Sequence, residues 1–186
     1  MKEHNNEVMI DIETLGTSPN SVILTIGAVV FDARGTGIHE RLSLRPDIAE
    51  QVELGRIVDH DTLDWWEKQS EDAIEEAISD RDRVPFLDVM VELHKFCSNR
   101  KAIWANGICF DIGILENAFR ELNMIPPWDF WTVRDARTVY EVCGVSIKDG
   151  HTTSHKAVED AEHQAIVVQR AYENIYTNKE SECNII

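Results

Sequence analysis

The chain has 186 residues, with 34 acidic side chains against 18 basic ones and a formal net charge of −16. So acidic a chain repels a polyanion at long range, which excludes a sequence-independent protein that wraps DNA or RNA through a basic surface. A nucleic-acid enzyme whose carboxylates hold metal ions stays open.

The length and a hydrophobic content of 43% fit a single domain, residues 1–186, with its core at about 8–176 and a polar, frayed tail over 177–186. Met1 to Glu7 is short, polar and mixed in charge, so no secretory signal is expected. The next strong feature is Val8 to Glu13, an apolar strand with two carboxylates set into it. A turn follows at Thr17-Ser18-Pro19-Asn20, then a β-branched strand over Val22 to Phe31. That apolar run falls well short of the roughly 20 residues of a membrane span, and no membrane association is expected. Gly35 and Gly37 mark another turn, and Glu40 to Arg45 alternates as a half-buried strand does, with Leu42 and Leu44 on one face. Three strands joined by turns predict an antiparallel meander.

Helical signals dominate the rest. Asp61 to Gln69 reads as a short helix with Asp61 as N-cap. Pro85 to Cys97 carries Phe86, Val89, Met90, Leu93 and Phe96 at helical spacing. Ala102 to Ala105 is a short strand, and Ile112 to Leu122 is a helix with Ile114, Leu115, Ala118 and Leu122 inward. Trp128 to Val133 is expected as a strand. Arg134 to Cys143 is a helix closed by Gly144, and Lys156 to Tyr176 is the longest helix. Strands followed by alternating helix and strand predict an α/β fold with one sheet covered by helices. The four cysteines, Cys97, Cys109, Cys143 and Cys183, form no CxxC and read as free thiols in a reducing cytoplasm.

Three clusters carry candidate chemistry. Asp11 and Glu13 are two apart on a strand, so both project from one face while Ile10 and Ile12 take the other. Paired carboxylates repel and are costly to bury, and a hard cation such as Mg²⁺ or Mn²⁺ offsets that cost. The alternative is a hydrated, exposed face. Asp111 follows the loop Asn106-Gly107-Ile108-Cys109-Phe110 and opens a helix, where it serves either as an N-cap or in a site at the strand ends. His155 and Asp160 are five apart, about 140° around a helix. They share no helical face, so His155 belongs to the preceding loop, Gly150 to Ser154, and Asp160 to the first turns of the helix. A zinc site on His151, His155 and His163 finds no nearby cysteine and is set aside.

The order of these clusters resembles the DnaQ-like 3′–5′ exonucleases, in the DEDDh branch of the ribonuclease H-like fold, from about Val8 to Tyr172. The matching positions are Asp11, Glu13, Asn106, Phe110, Asp111, His155 and Asp160. The stretch MIDIETLGTSPNSVILTIGAVVFD, Gly55-Arg56, Thr62-Leu63-Asp64-Trp65-Trp66 with Gln69, and Arg134-Asp135-Ala136-Arg137-Thr138 look like the ribonuclease AS-like bacterial and phage subgroup. The resemblance implies a five-stranded mixed β-sheet flanked by α-helices. It also implies two divalent cations, Mg²⁺ or Mn²⁺, on Asp11, Glu13, Asp111 and Asp160, with His155 as general base. The implied reaction removes nucleoside 5′-monophosphates from the 3′ end of single-stranded RNA or DNA. Rival readings are an endonuclease or other phosphodiesterase of the same fold, and a non-catalytic nucleic-acid-binding module.

For substrate contacts, Thr14 and Leu15 line the terminal nucleotide's pocket in that family, with Leu15 as a wedge. Phe110, beside Asp111, is a stacking candidate, and Asn106 either contacts the nucleotide or closes its own turn. Trp65 and Trp66 point about 100° apart on a helix, so at most one is fully inward. The pair reads as core or interface, or as a stacking surface, with Trp66 assigned to the substrate-binding set. A homodimer is compatible with the subgroup resemblance. Arg134, Arg137, Lys148 and Lys156 are candidates to guide phosphates, against the alternative of solvated charge.

Overall fold

The computed structural model describes residues 6–148 and 154–183, with 177–183 as backbone only. Its centre is Glu7–Thr14 (β1), paired antiparallel with Ile23–Phe31 (β2), which pairs antiparallel with Ile38–Leu44 (β3). On the other side of β1 lie Ile103–Ala105 (β4) and then Val133–Asp135 (β5), both parallel to their neighbours. The result is a five-stranded mixed sheet in the order β3-β2-β1-β4-β5, flanked by helices as the resemblance implied.

The period of two along β1 decides which side chains meet which helices. Val8, Ile10 and Ile12 enter one core with Phe86–Cys97 (α4) and Asp111–Glu121 (α5). Met9 enters the opposite core, with Ala136–Cys143 (α6) and Ala157–Cys183 (α7). Asp11 and Glu13 share the Met9 face and point toward α7. A third cluster of Leu15, Val22, Leu24 and Trp66 is roofed by His60–Trp66 (α2) and Glu71–Ile78 (α3). Each fully buried aliphatic or aromatic side chain contributes about 1.5–3 kcal/mol, so these three clusters hold the sheet between its helices.

The segment between β3 and α4 departs most from expectation. Ile48–Glu53 (the first helix in chain order, α1) and α3 are not anticipated by the sequence pattern. A signal for α3 exists: Ser70 caps Ala73 N, acidic residues fill the first turn, and Ala73 and Ala77 are the buried pair. The N-cap of α2 is Asp59 rather than Asp61; its carboxylate accepts from Asp61 N at 2.9 Å. Two buried polar side chains fasten this segment to the sheet. Gln51 exchanges hydrogen bonds with both backbone groups of Ile23. Arg56 donates to the Ser21 carbonyl and pairs with Glu121 at 2.5 Å.

Three further boundaries shift. The expected strand at Trp128 to Val133 is a 3-10 turn at Phe130–Thr132, followed by β5. Helix α6 begins at Ala136, capped by Asp135, and ends at Gly144 with φ 63°, a left-handed position that suits glycine. Helix α7 runs on to Cys183, past the expected end at Tyr176. No helix among the described residues is long and apolar enough to cross a membrane.

Candidate active site

Asp11 and Glu13 stand where β1 passes beneath the first turn of α7. The close approach depends on Gly27, the cross-strand partner of Asp11 on β2. A Cβ on Gly27 would overlap the backbone of Ala157 and Val158. Only glycine therefore lets α7 begin against the sheet at this level. The sequence contained that signal as a lone Gly inside a β-branched strand, which marks close backbone approach.

Asp111 does not cap its helix. It is the first residue of α5, and the cap position, Phe110, makes no side-chain hydrogen bond. Asp111 Oδ1 instead accepts from the Ile12 N–H at 3.2 Å, which draws its carboxylate across to β1 between Asp11 and Glu13. The geometry thus removes the capping alternative. Asp160 lies in the first turn of α7 and is 5% exposed. Its Oδ1 accepts from Ser154 N at 3.2 Å, which ties the loop before α7 to the carboxylate.

His155 occupies that loop, as the five-residue spacing requires, with φ 53° in the left-handed region. A non-glycine residue there is strained and persists because its surroundings hold it. The holding partners are aromatic: Trp65 meets the imidazole edge-to-face at 4.9 Å and Trp66 at 6.2 Å. His155 Nδ1 lies 3.9 Å from Glu13 Oε1. Glu13, His155 and Asp160 each present a ligand atom within 4.8 Å of the others.

All five groups line one cleft of about 440 Å³. Burial raises the Asp11 carboxyl well above its usual range, and the nearby Asp111 and Glu13 charges raise it further. Burial, with Asp160 and Asp111 adding repulsion, pushes Glu13 up to about 8. Burial takes Asp111 to about 7, against the opposing hydrogen bond from Ile12 N and the charge of Arg137. Four carboxylates gathered on one cleft form a donor set for hard divalent cations, which bind all-oxygen sites of this kind. The residues present therefore fit the cations that the resemblance implies. Gln164 was not anticipated. Buried on α7, it donates from Nε2 to Asp11 Oδ1 at 2.7 Å and fixes that carboxylate's orientation.

The substrate-contact expectations divide. Phe110 and Asn106 line the cleft. A second pocket of about 460 Å³ adjoins it, with Thr14, Gly16, Asp59, Asp61 and Thr62 in its wall and Glu13, Trp65 and Phe110 in common. Thr14 donates its hydroxyl to the Gly16 carbonyl at 2.7 Å. Leu15 is buried among Val22, Leu24 and Trp66, so it cannot wedge against a base without unpacking. Trp66 is likewise corrected: it is 1% exposed and donates its indole N–H to the Thr14 carbonyl at 2.9 Å. Its neighbour Trp65, 41% exposed, faces both pockets, as Phe110 does. His151 lies outside the described residues; His163 Nε2 contacts the Ile147 carbonyl at 2.7 Å. Cys97, Cys109 and Cys143 are free thiols.

Comparison with known proteins gives a consistent picture. Residues 6–172 match a family model described as the 3′-5′ exoribonuclease Rv2179c-like domain. The exodeoxyribonuclease of Enterobacteria phage T4 is 22% identical over 161 residues, covering 73% of this chain and 70% of that protein. Among solved structures, E. coli exonuclease I in complex with a dA16 oligonucleotide superposes with a TM-score of 0.67 at 15% identity, covering 93% of this chain. This chain spans less than half the length of exonuclease I, 43% in that structure. The nuclease domain of 3′hExo, a DEDDh family member bound to rAMP, superposes with a TM-score of 0.57 at 13% identity, covering 93% of this chain and 94% of that domain.

Proposed function

The chain belongs to the Rv2179c-like 3′-5′ exoribonuclease domain family, and from that premise we propose that it is a single-domain enzyme that hydrolyses single-stranded nucleic acid from the 3′ end, releasing nucleoside 5′-monophosphates. The observation that carries this reading is the convergence of Asp11, Glu13, Asp111, Asp160 and His155 on one cleft beside a second pocket large enough for a nucleoside.

Asp11, Glu13, Asp111 and Asp160 would hold two divalent cations, Mg²⁺ or Mn²⁺. When bound, such cations supply positive charge to the scissile phosphate and acidify water. The protein's own side chains do the rest. Gln164 holds Asp11 in one orientation. His155 accepts the proton of the attacking water, whose oxygen forms the new bond to phosphorus as the bond to the 3′-oxygen breaks; the leaving 3′-oxygen takes a proton from solvent. Phe110 and Trp65 flank the pocket for the terminal nucleoside. Asp59 and Asp61 in its wall repel a further phosphate, which favours a free 3′ end.

RNA is the substrate favoured by the family's description, while the T4 relative bears the name exodeoxyribonuclease. Matched RNA and DNA oligonucleotides, with free and blocked 3′ ends, separate these readings in the presence of Mg²⁺ and of EDTA. We expect mononucleotides to be released stepwise from the free end of the RNA, only with Mg²⁺. Equal cleavage of 3′-blocked strands would identify an endonuclease. Hydrolysis at an undiminished rate in EDTA would overturn the metal-dependent mechanism.

A further inference from the structure

The hydrolysis described above leaves two cations of the cleft wall, Arg137 and Lys148, without a role, and of the two Arg137 is the one whose side chain is held in place by hydrogen bonding among the described residues. Arg137, near the start of α6, lines the carboxylate cleft but not the adjoining nucleoside pocket. It is held from two sides. Its Nε donates to Asn106 Oδ1 at 3.3 Å. Its guanidinium lies over Gly107, where an added Cβ would come within 3.4 Å of Cζ. Gly107 has φ 122°, a conformation for which glycine is suited, so the loop both requires glycine and opens the space the guanidinium fills.

The neighbouring basic residues are differently engaged. Arg134 donates to the Trp131 and Val133 carbonyls. Lys156 pairs with Glu159 at 3.5 Å. Arg137 makes no ion pair among the described residues, and its two terminal nitrogens have no hydrogen-bond acceptor there. A planar donor fork, oriented and left free beside four carboxylates, suits a phosphate oxygen pair.

The layout indicates which phosphate. The nucleoside pocket lies on the side of β1 toward α2, and the carboxylates stand between it and α6. A strand with its 3′ nucleoside in that pocket and its scissile phosphate at the carboxylates continues toward Arg137. We propose that Arg137 binds the phosphate one linkage to the 5′ side of the scissile bond, with Asn106 and Gly107 orienting its guanidinium. Asn106 thereby acts through Arg137 rather than on the nucleotide.

This rests on the exonuclease reading, and the test distinguishes the two. Hydrolysis of an unmodified oligonucleotide by the wild-type protein checks that reading first; no hydrolysis there defeats it, whatever Arg137 does. With hydrolysis present, Arg137→Ala should raise KM by about 10- to 100-fold, the range of a charged hydrogen bond, with little change in kcat. The slope of log KM against log salt should fall by about 0.7, one single-strand phosphate contact. A neutral methylphosphonate at the penultimate linkage should raise KM for the wild-type protein as Arg137→Ala does, and the two changes combined should add nothing further. Asn106→Ala should move KM in the same direction. Unchanged KM and salt slope in Arg137→Ala, or fully additive losses in the combined experiment, would overturn the proposal. If Arg137→Ala does not fold, an unaltered KM for the methylphosphonate substrate with wild-type protein overturns it equally.

Discussion

Asp11 is the residue at which stability and chemistry conflict most directly. Its carboxylate is desolvated on β1 and repelled by Asp111 and Glu13, with Gln164 donating to it. Asp11→Asn removes a charge from that cluster, so the metal-free variant should melt at a higher temperature than the metal-free wild type, while hydrolysis falls to background. Calorimetry and an oligonucleotide assay check the two halves; a variant that melts lower without metal contradicts the repulsion account. His155 serves differently. Its left-handed backbone and its contacts with Trp65 and Trp66 aim the imidazole at the cleft. His155→Ala should lower kcat by roughly 10²–10⁴, the usual span for a general base. Unchanged turnover would remove His155 from that role. The identities of these residues were readable from their types and order in the chain. Their contacts were not, since Ile12 to Asp111 and Gln164 to Asp11 join positions far apart in sequence.

At the scale of elements, the site is the junction of β1, β2 and α7. Gly27 sets the height at which α7 starts, and so positions both Asp160 and the loop bearing His155. Gly27→Ala forces a side chain into the backbone of Ala157 and Val158. Overpacking of this kind typically costs about 1–3 kcal/mol, and here the helix end must move with it. We expect a lower unfolding midpoint in urea together with a loss of activity greater than the fraction unfolded explains. A variant of normal activity would show that α7 can shift without disturbing the site. The meander, α4, α5 and α7 were legible because their periodicity runs long enough to be distinctive, and α6, eight residues long, was legible with Gly144 marking its end. Helices α1 and α3 were not, and the strand expected at Trp128 to Val133 begins only at Val133. Short elements such as these are fixed by tertiary contacts, among them those of Gln51 on α1 with Ile23 of β2 and of Arg83, which donates to the Leu24, Pro46 and Ala77 carbonyls.

At the scale of the whole molecule, the acidic clefts make stability depend on pH and on cations together. Glu13 titrates at about 8 in the folded chain against 4.5 ordinarily, and Asp111 at about 7 against 3.8. Their folded-state values are raised, so the native state binds more protons than the unfolded state between these limits. The stability they contribute is fully present below the unfolded values and is lost as pH rises through the folded ones. The metal-free protein should therefore lose stability from about pH 4 to about pH 8 through these groups. Cations that bind the ionised carboxylates should reverse the loss, so the difference in melting temperature with and without Mn²⁺ should widen across the same window. A constant difference would separate the carboxylates from cation binding.

The net charge of −16 excluded from the outset a protein that coats nucleic acid. It was compatible with one that engages a single 3′ end through a local site. Residue type and spacing determined an α/β fold with one helix-covered sheet, the shared face of Asp11 and Glu13, and the loop position of His155, because local geometry follows from a strand's period of two and a helix's of 3.6, while the ribonuclease H-like class followed from the family resemblance carried by the order of those residues. Only the tertiary structure decided that Asp111 bonds across to β1 instead of capping α5, that Trp65 rather than Trp66 faces the cleft, and that Leu15 is core. Each of those choices turns on which distant side chain fills the space alongside, and that depends on packing between elements far apart in the chain.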